Sequence, residues 1–96
     1  MNVYLAVSGL VLDDSLAIRD YIDYSKMFKN KNKAYDYLFE TILDYTKDRE
    51  DDDRENDLIS IKNILKKNIS EESKLDEIKR YIPNYLLYEV FEKTIE

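Results

Sequence analysis

The chain has 96 residues, a formal net charge of −6, and neither histidine nor cysteine. It therefore lacks disulfides, thiolate and imidazole metal ligands, and the usual nucleophile–base pairs of enzymes. The net negative charge argues against direct binding to nucleic acid or to an anionic membrane, because both are negatively charged and attract Lys and Arg. We expect one non-catalytic domain without a cofactor or a metal site.

The N-terminal segment, NVYLAVSGLVL, is apolar over about ten residues. It is too short to span a membrane, and no basic residue precedes it as in a secretory signal. We interpret it as part of the buried core of a cytoplasmic protein. Val3, Leu5 and Val7 alternate as in a strand, but a lone strand in a helical chain has no partner. A helical lead-in is therefore favoured, with a single strand as the alternative.

One glycine and one proline in the whole chain indicate helices, because β-rich folds need turn residues at short intervals. Apolar residues recur at three- and four-residue steps over roughly residues 14–28, which predicts a first helix. The clearest stripe predicts a second helix and consists of Tyr35, Leu38, Ile42 and Tyr45.

Two further stripes predict a third and a fourth helix. The third carries Leu58, Ile61 and Leu65, and the fourth carries Leu75, Ile78 and Ile82. Ser70 is a suitable N-cap for the fourth helix, and Pro83 fits the first turn of a last helix over about 83–95. The expected fold is all-α, a compact bundle of four to six short helices in a single domain over residues 1–96.

The stretch KDREDDDREND, residues 47–57, is the most acidic part of the sequence. It lacks the glycine and the closing glutamate of a calcium-binding EF-hand loop. On one straight helix, the apolar stripes ending at Tyr45 and beginning at Leu58 would point roughly 220° apart. A turn between them lets both stripes face one core, so we interpret residues 46–57 as an exposed acidic connector.

The same carboxylates also suit a docking surface for a basic protein. Four acids at four-residue steps share one helical edge, and three aspartates of the connector continue it. Tyrosines have an apolar body and a polar tip, which is typical of protein interfaces. The candidate partner-binding residues are Asp36, Glu40, Asp44, Asp48, Asp51, Asp52, Asp53, Tyr81, Tyr85 and Tyr88.

We expect a small acidic protein that binds and blocks or regulates a protein partner, as inhibitors, immunity proteins, antitoxins and phage anti-defence proteins do. It would act as a nucleic-acid mimic, occupying the basic surface of a nucleic-acid-handling protein. Two alternatives belong to other classes. One is a structural module that self-associates into a homodimer, and the other is a small enzyme or ligand carrier that uses carboxylates.

Overall fold

The structure is a computed structural model that describes residues 1–10, 25–83 and 86–95. Within these ranges the elements are the strands β1 (Asn2–Leu10), β2 (Ser25–Phe28) and β3 (Leu86–Thr94), the helices α1 (Lys31–Asp48), α2 (Arg54–Leu65) and α3 (Glu71–Ile78), and a 3-10 turn (Lys79–Tyr81). The strands form an antiparallel sheet in the order β2–β1–β3. The fold is therefore α+β, and the predicted all-α helical bundle is wrong.

The N-terminal segment is the central strand of this sheet rather than a helical lead-in. Val3 and Val7 are buried on one face of β1, and Ala6 is buried on the other. The sequence disfavours a strand only because it shows no pairing partner near this segment. Both partners lie within the chain, at residues 25–28 and 86–94. The interpretation of this segment as buried core is confirmed for Val3, Ala6 and Val7.

The last predicted helix, over about 83–95, is also wrong, because residues 86–94 form β3. The apolar positions fit a helix and a strand equally well in so short a segment. The ladder to β1 runs without a break from the pair Leu10↔Leu86 to the pair Asn2↔Thr94. Aromatic and β-branched residues such as Tyr88 and Val90 favour the extended form. Pairing with the nine-residue strand β1 stabilises the strand over the helix.

The first predicted helix, over roughly 14–28, fails at its C-terminal end, where residues 25–28 form β2. Its other residues, through 24, lie outside the described residues. Scarce glycine and proline do not exclude the sheet, because β1 and β3 pair from opposite ends of the chain and need no tight turn between them. Residues 11–24 connect β1 to β2, and all three helices come between β2 and β3.

The chain divides into two compact units, and the first comprises Met1–Leu38 and Asn84–Glu96. It holds the sheet and the first half of α1. The ring of Tyr37 in α1 contacts the ring of Phe28 in β2, with centroids 5.6 Å apart. The ammonium group of Lys26 lies 5.7 and 5.3 Å from the two centroids. Among the described residues of this unit, the buried apolar ones are Val3, Ala6, Val7, Ala34, Tyr35, Leu38 and Tyr88.

The second unit is Phe39–Pro83, which holds the second half of α1, both shorter helices and the 3-10 turn. The predicted second, third and fourth helices are confirmed as α1, α2 and α3. Among the described residues, no helix is long and apolar enough to cross a membrane. The buried residues of this unit are Phe39, Ile42, Thr46, Ile61, Ile64, Leu75, Ile78 and Ile82.

Candidate interaction surface

Helix α1 carries most of the candidate acidic residues. Its cap fixes where the helix begins, and its buried face determines which side chains point to solvent. The side-chain oxygen of Asn30 accepts hydrogen bonds from the backbone N–H groups of Asn32 (2.9 Å) and Lys33 (3.2 Å), which caps the helix. Leu38 and Ile42 are fully buried. Positions two residues away from Ile42 lie about 200° around the helix, on its opposite side.

Glu40, Asp44 and Asp48 occupy this opposite side and are exposed. They follow one another at four-residue steps, so their side chains leave the helix about 6 Å apart along its axis. In the part of the chain that the structure describes, none of the three side chains forms a hydrogen bond or an ion pair. These carboxylates therefore carry their charge into solvent.

The connection after α1 is organised by Arg49. Its Nε donates a hydrogen bond to the Asp51 carboxylate at 2.6 Å, and one terminal nitrogen donates to the other oxygen of that carboxylate. The remaining terminal nitrogen donates to the Asp57 carboxylate in α2 at 2.8 Å. Arg49 is only 18% exposed, so one guanidinium joins the connection to the helix that follows.

These contacts change the acidity of the paired groups. The hydrogen bonds from Arg49 stabilise the ionised carboxylate and hold the pKa of Asp51 below its ordinary value of 3.8. The hydrogen bonds to Asp51 and Asp57 raise the pKa of the Arg49 guanidinium. Asp51 is thus paired within the chain, so we leave it out of the acidic surface defined below.

The backbone of residues 49–53 forms a closed turn. The N–H of Arg54 donates to the carbonyl of Asp51 (3.3 Å), and the Arg54 side chain donates to the carbonyl of Arg49 (3.1 Å). Asp53 occupies the N-cap position of α2, where its side chain makes no capping hydrogen bond. Asp52 and Asp53 are both exposed. We define the acidic surface as Glu40, Asp44, Asp48, Asp52 and Asp53.

The other predicted partner-binding residues lie elsewhere. Asp36 is exposed one turn earlier on α1, within the first unit, and we leave it out of the acidic surface. Tyr81 is half-buried in the 3-10 turn. Tyr88 is only 6% exposed, in β3, and Tyr85 lies outside the described residues. Tyr88 belongs to the first unit and Tyr81 lies near the C-terminal end of the second, and we leave both out of the acidic surface.

Charge is strongly concentrated around this surface. Residues 40–53 hold seven acidic and two basic residues, which gives a formal charge of −5 out of the chain's −6. In the described residues, no group of three or more carboxylates is close enough to hold a metal ion. The spread of these carboxylates suits an extended positive surface better than a single cation.

The sequence alone did not indicate the part played by Arg49. The only indication in the sequence is that an arginine stands within a run of acidic residues, two residues before Asp51 and eight before Asp57. The spacing to Asp57 becomes meaningful only when the turn at residues 49–53 folds the start of α2 back towards the end of α1.

Comparisons with known proteins give no further guide: no protein-family model matches the sequence, and searches of curated proteins and of solved structures find no significant match.

Proposed function

We propose that this protein has no catalytic activity and acts by binding a protein partner, whose basic surface it covers with the acidic surface. The observation that carries the proposal is the exposed, unpaired row of Glu40, Asp44 and Asp48, which Asp52 and Asp53 accompany in the same unit. The absence of histidine and cysteine from the sequence supports a role in binding rather than in catalysis.

The row of like charges destabilises the helix that carries it, and this supports a role of the row in binding. Like charges at i and i+4 destabilise a helix by a few tenths of a kcal/mol for each pair. Glu40, Asp44 and Asp48 form two such pairs, and the nearby Lys47, three residues after Asp44, makes no ion pair with them within the described residues. Contact with a basic surface would turn the same repulsion into attraction.

The two arginines of the connection prepare part of the surface before binding. Arg49 neutralises Asp51 and Asp57, and Arg54 bonds to the backbone, so neither cation lies free beside the exposed aspartates. Asp52 and Asp53 are held on a closed turn, so little conformational entropy would be lost when a partner binds them.

The partner that best fits is a nucleic-acid-handling protein. Such proteins bind phosphates through clusters of Lys and Arg, and regularly spaced carboxylates offer the same charge to the same groove. Long-range attraction would speed the encounter, and occupation of the groove would exclude nucleic acid. On this proposal the protein would act as inhibitors, immunity proteins, antitoxins and phage anti-defence proteins do.

The proposal is tested with a matched pair of double variants. Glu40→Gln with Asp44→Asn neutralises two acids of the acidic surface. Glu72→Gln with Asp76→Asn neutralises the same two residue types, at the same spacing, on exposed positions of α3. Each protein is used as bait in a lysate of the source organism or its host, and the captured proteins are identified by mass spectrometry.

We expect the wild type and the α3 variant to capture the same basic protein, which high salt releases, and the α1 variant to lose it. Capture of that protein by all three baits to the same extent would contradict the proposal. Recovery of the bait alone from the wild type would contradict it as well.

A further inference from the structure

The outer edge of β3 is the longest unpaired edge in the described part of the chain. β1 has a neighbour on each side, and β2 is only four residues long. β3 is nine residues long and pairs with β1 on one side only, within the described residues. Long edge strands present a row of unpaired backbone groups and readily add another strand.

The hydrogen bonds at the chain ends show which backbone groups face this outer edge. The Met1 ammonium donates to the carbonyl of Ile95 (3.2 Å), and the N–H of Ile95 donates to the carbonyl of Met1 (2.7 Å). Doubly bonded pairs alternate with unbonded pairs along an antiparallel ladder. Phe91, four residues from Ile95, is therefore bonded to β1, and the backbone groups of Val90 and Glu92 point away from it.

One face of the sheet carries an apolar row that ends at this edge and is exposed on its two outer strands. Leu5 lies directly opposite Met27 on one side and Phe91 on the other. Met27 is 57% exposed and Phe91 is 51% exposed. The row therefore crosses all three strands and leaves a large aromatic side chain in solvent at the outer strand.

We propose that this edge pairs antiparallel with the same edge of a second copy of the chain, with Phe91 on the two-fold axis. Phe91 then faces Phe91 of the second copy in an unbonded pair, in which side chains approach most closely. Val90 and Glu92 exchange about four backbone hydrogen bonds with Glu92 and Val90 of the second copy. The apolar row continues through a sheet of six strands.

The charges of β3 favour this register. Glu89 and Lys93 lie two residues before and after Phe91, on the same face of the sheet. With Phe91 on the axis, Glu89 of each copy lies opposite Lys93 of the other, which gives two opposite-charge pairs. A slip that places Glu92 on the axis instead sets two glutamates against each other.

This pairing is independent of the acidic surface, because it uses residues of the sheet alone. It also gives the homodimer considered from the sequence a definite location. Both sides of the apolar N-terminal strand are occupied within one chain, so that strand is not available to a second copy. Among the described residues, the edge of β3 is the longest one left open to a second copy.

The oligomeric state tests the pairing. We expect the wild type to sediment as a dimer, and Lys93→Glu to raise the dissociation constant about tenfold or more, because glutamates then oppose each other twice. Adding Glu89→Lys to Lys93→Glu should restore the dimer. Lys62→Glu makes the same charge change on an exposed position of α2 and should leave it unchanged.

A monomeric wild type at about 1 mM would overturn the inference. So would equal weakening by Lys93→Glu and Lys62→Glu, or a double variant no better than Lys93→Glu.

Single cysteines give a second test, because the chain has none of its own. Phe91→Cys should form a disulfide-linked dimer under mild oxidation, since the axis brings the two positions together. Met27→Cys has a similar exposure but lies at the opposite edge of the sheet, and should stay uncross-linked. Any other pattern overturns the inference.

Discussion

Both oxygens of the Asp51 carboxylate accept hydrogen bonds from the Arg49 guanidinium, which also reaches Asp57 at the start of α2. This relationship divides the acidic run KDREDDDREND into two functional classes. Acids bound by Arg49 shape the connection between α1 and α2. Acids left in solvent, such as Asp52 and Asp53, are available to a partner. Arg49 thus separates the carboxylates of this run that are paired with it, Asp51 and Asp57, from those that are not.

Loss of the guanidinium should destabilise the chain. We expect Arg49→Ala to lower the free energy of unfolding by about 1 kcal/mol, a value reduced by solvent screening of the exposed Asp51. Lys47→Ala removes an exposed cation two residues away and should change it by less than about 0.5 kcal/mol. Urea unfolding followed by circular dichroism measures both, and equal effects would contradict the part assigned to Arg49.

The pair between Arg49 and Asp51 should also make stability depend on pH. The pKa of Asp51 is lowered in the folded chain from its ordinary value of 3.8. The pair's contribution is therefore complete above that value and is lost as the pH falls through the lowered pKa of the folded state. Asp51→Asn should be less stable than the wild type at neutral pH and equal to it in strong acid.

Urea midpoints at neutral pH and at about pH 1, below both pKa values, measure this difference. Asp52→Asn is the matched control, because it removes a neighbouring carboxylate that receives no hydrogen bond from Arg49. A deficit of Asp51→Asn that is the same at both pH values would contradict the prediction.

The cap of α3 offers a test of local structure. The Ser70 hydroxyl accepts a hydrogen bond from the backbone N–H of Ser73 at 3.1 Å. We expect Ser70→Ala to cost about 1 kcal/mol in unfolding free energy and Ser70→Asp to cost little, because aspartate caps equally well. Thermal unfolding of the two variants checks this, and equal losses would mean that the hydroxyl does not act as a cap.

Amide hydrogen exchange tests the sheet directly. In β3 the N–H groups of Glu89, Phe91 and Lys93 bond to β1, whereas those of Val90 and Glu92 point outward. At protein concentrations low enough to give the monomer, the first three should exchange slowly and the other two quickly. A helix over these residues would protect Val90 and Glu92 as well, and that result would contradict the strand.

The helices could be read from the sequence because their signals are local. The stripe from Tyr35 to Tyr45 and the cap at Ser70 lie within one element each, so spacing and residue type suffice. The exposure of Glu40 and Asp44 follows in turn from the burial of Ile42. These parts of the prediction depend on contacts within a few turns of helix.

The sheet could not be read in the same way, because its stabilising contacts join the two ends of the chain. Asn2 pairs with Thr94, and a window of ten residues contains no trace of that partner. Without it, Leu86–Thr94 fits a helix as well as a strand. The apolar row through Leu5 was missed for the same reason, since its three members come from three distant segments.

The most direct test of the central claim is the salt dependence of binding between this protein and its captured partner. Dissociation constants of the wild type and of the Glu40→Gln/Asp44→Asn and Glu72→Gln/Asp76→Asn variants would be measured over a series of salt concentrations. We predict that binding weakens steeply with salt for the wild type and the α3 variant, and distinctly less steeply for the α1 variant. An identical salt dependence for all three proteins would contradict the claim that the acidic surface makes the contact.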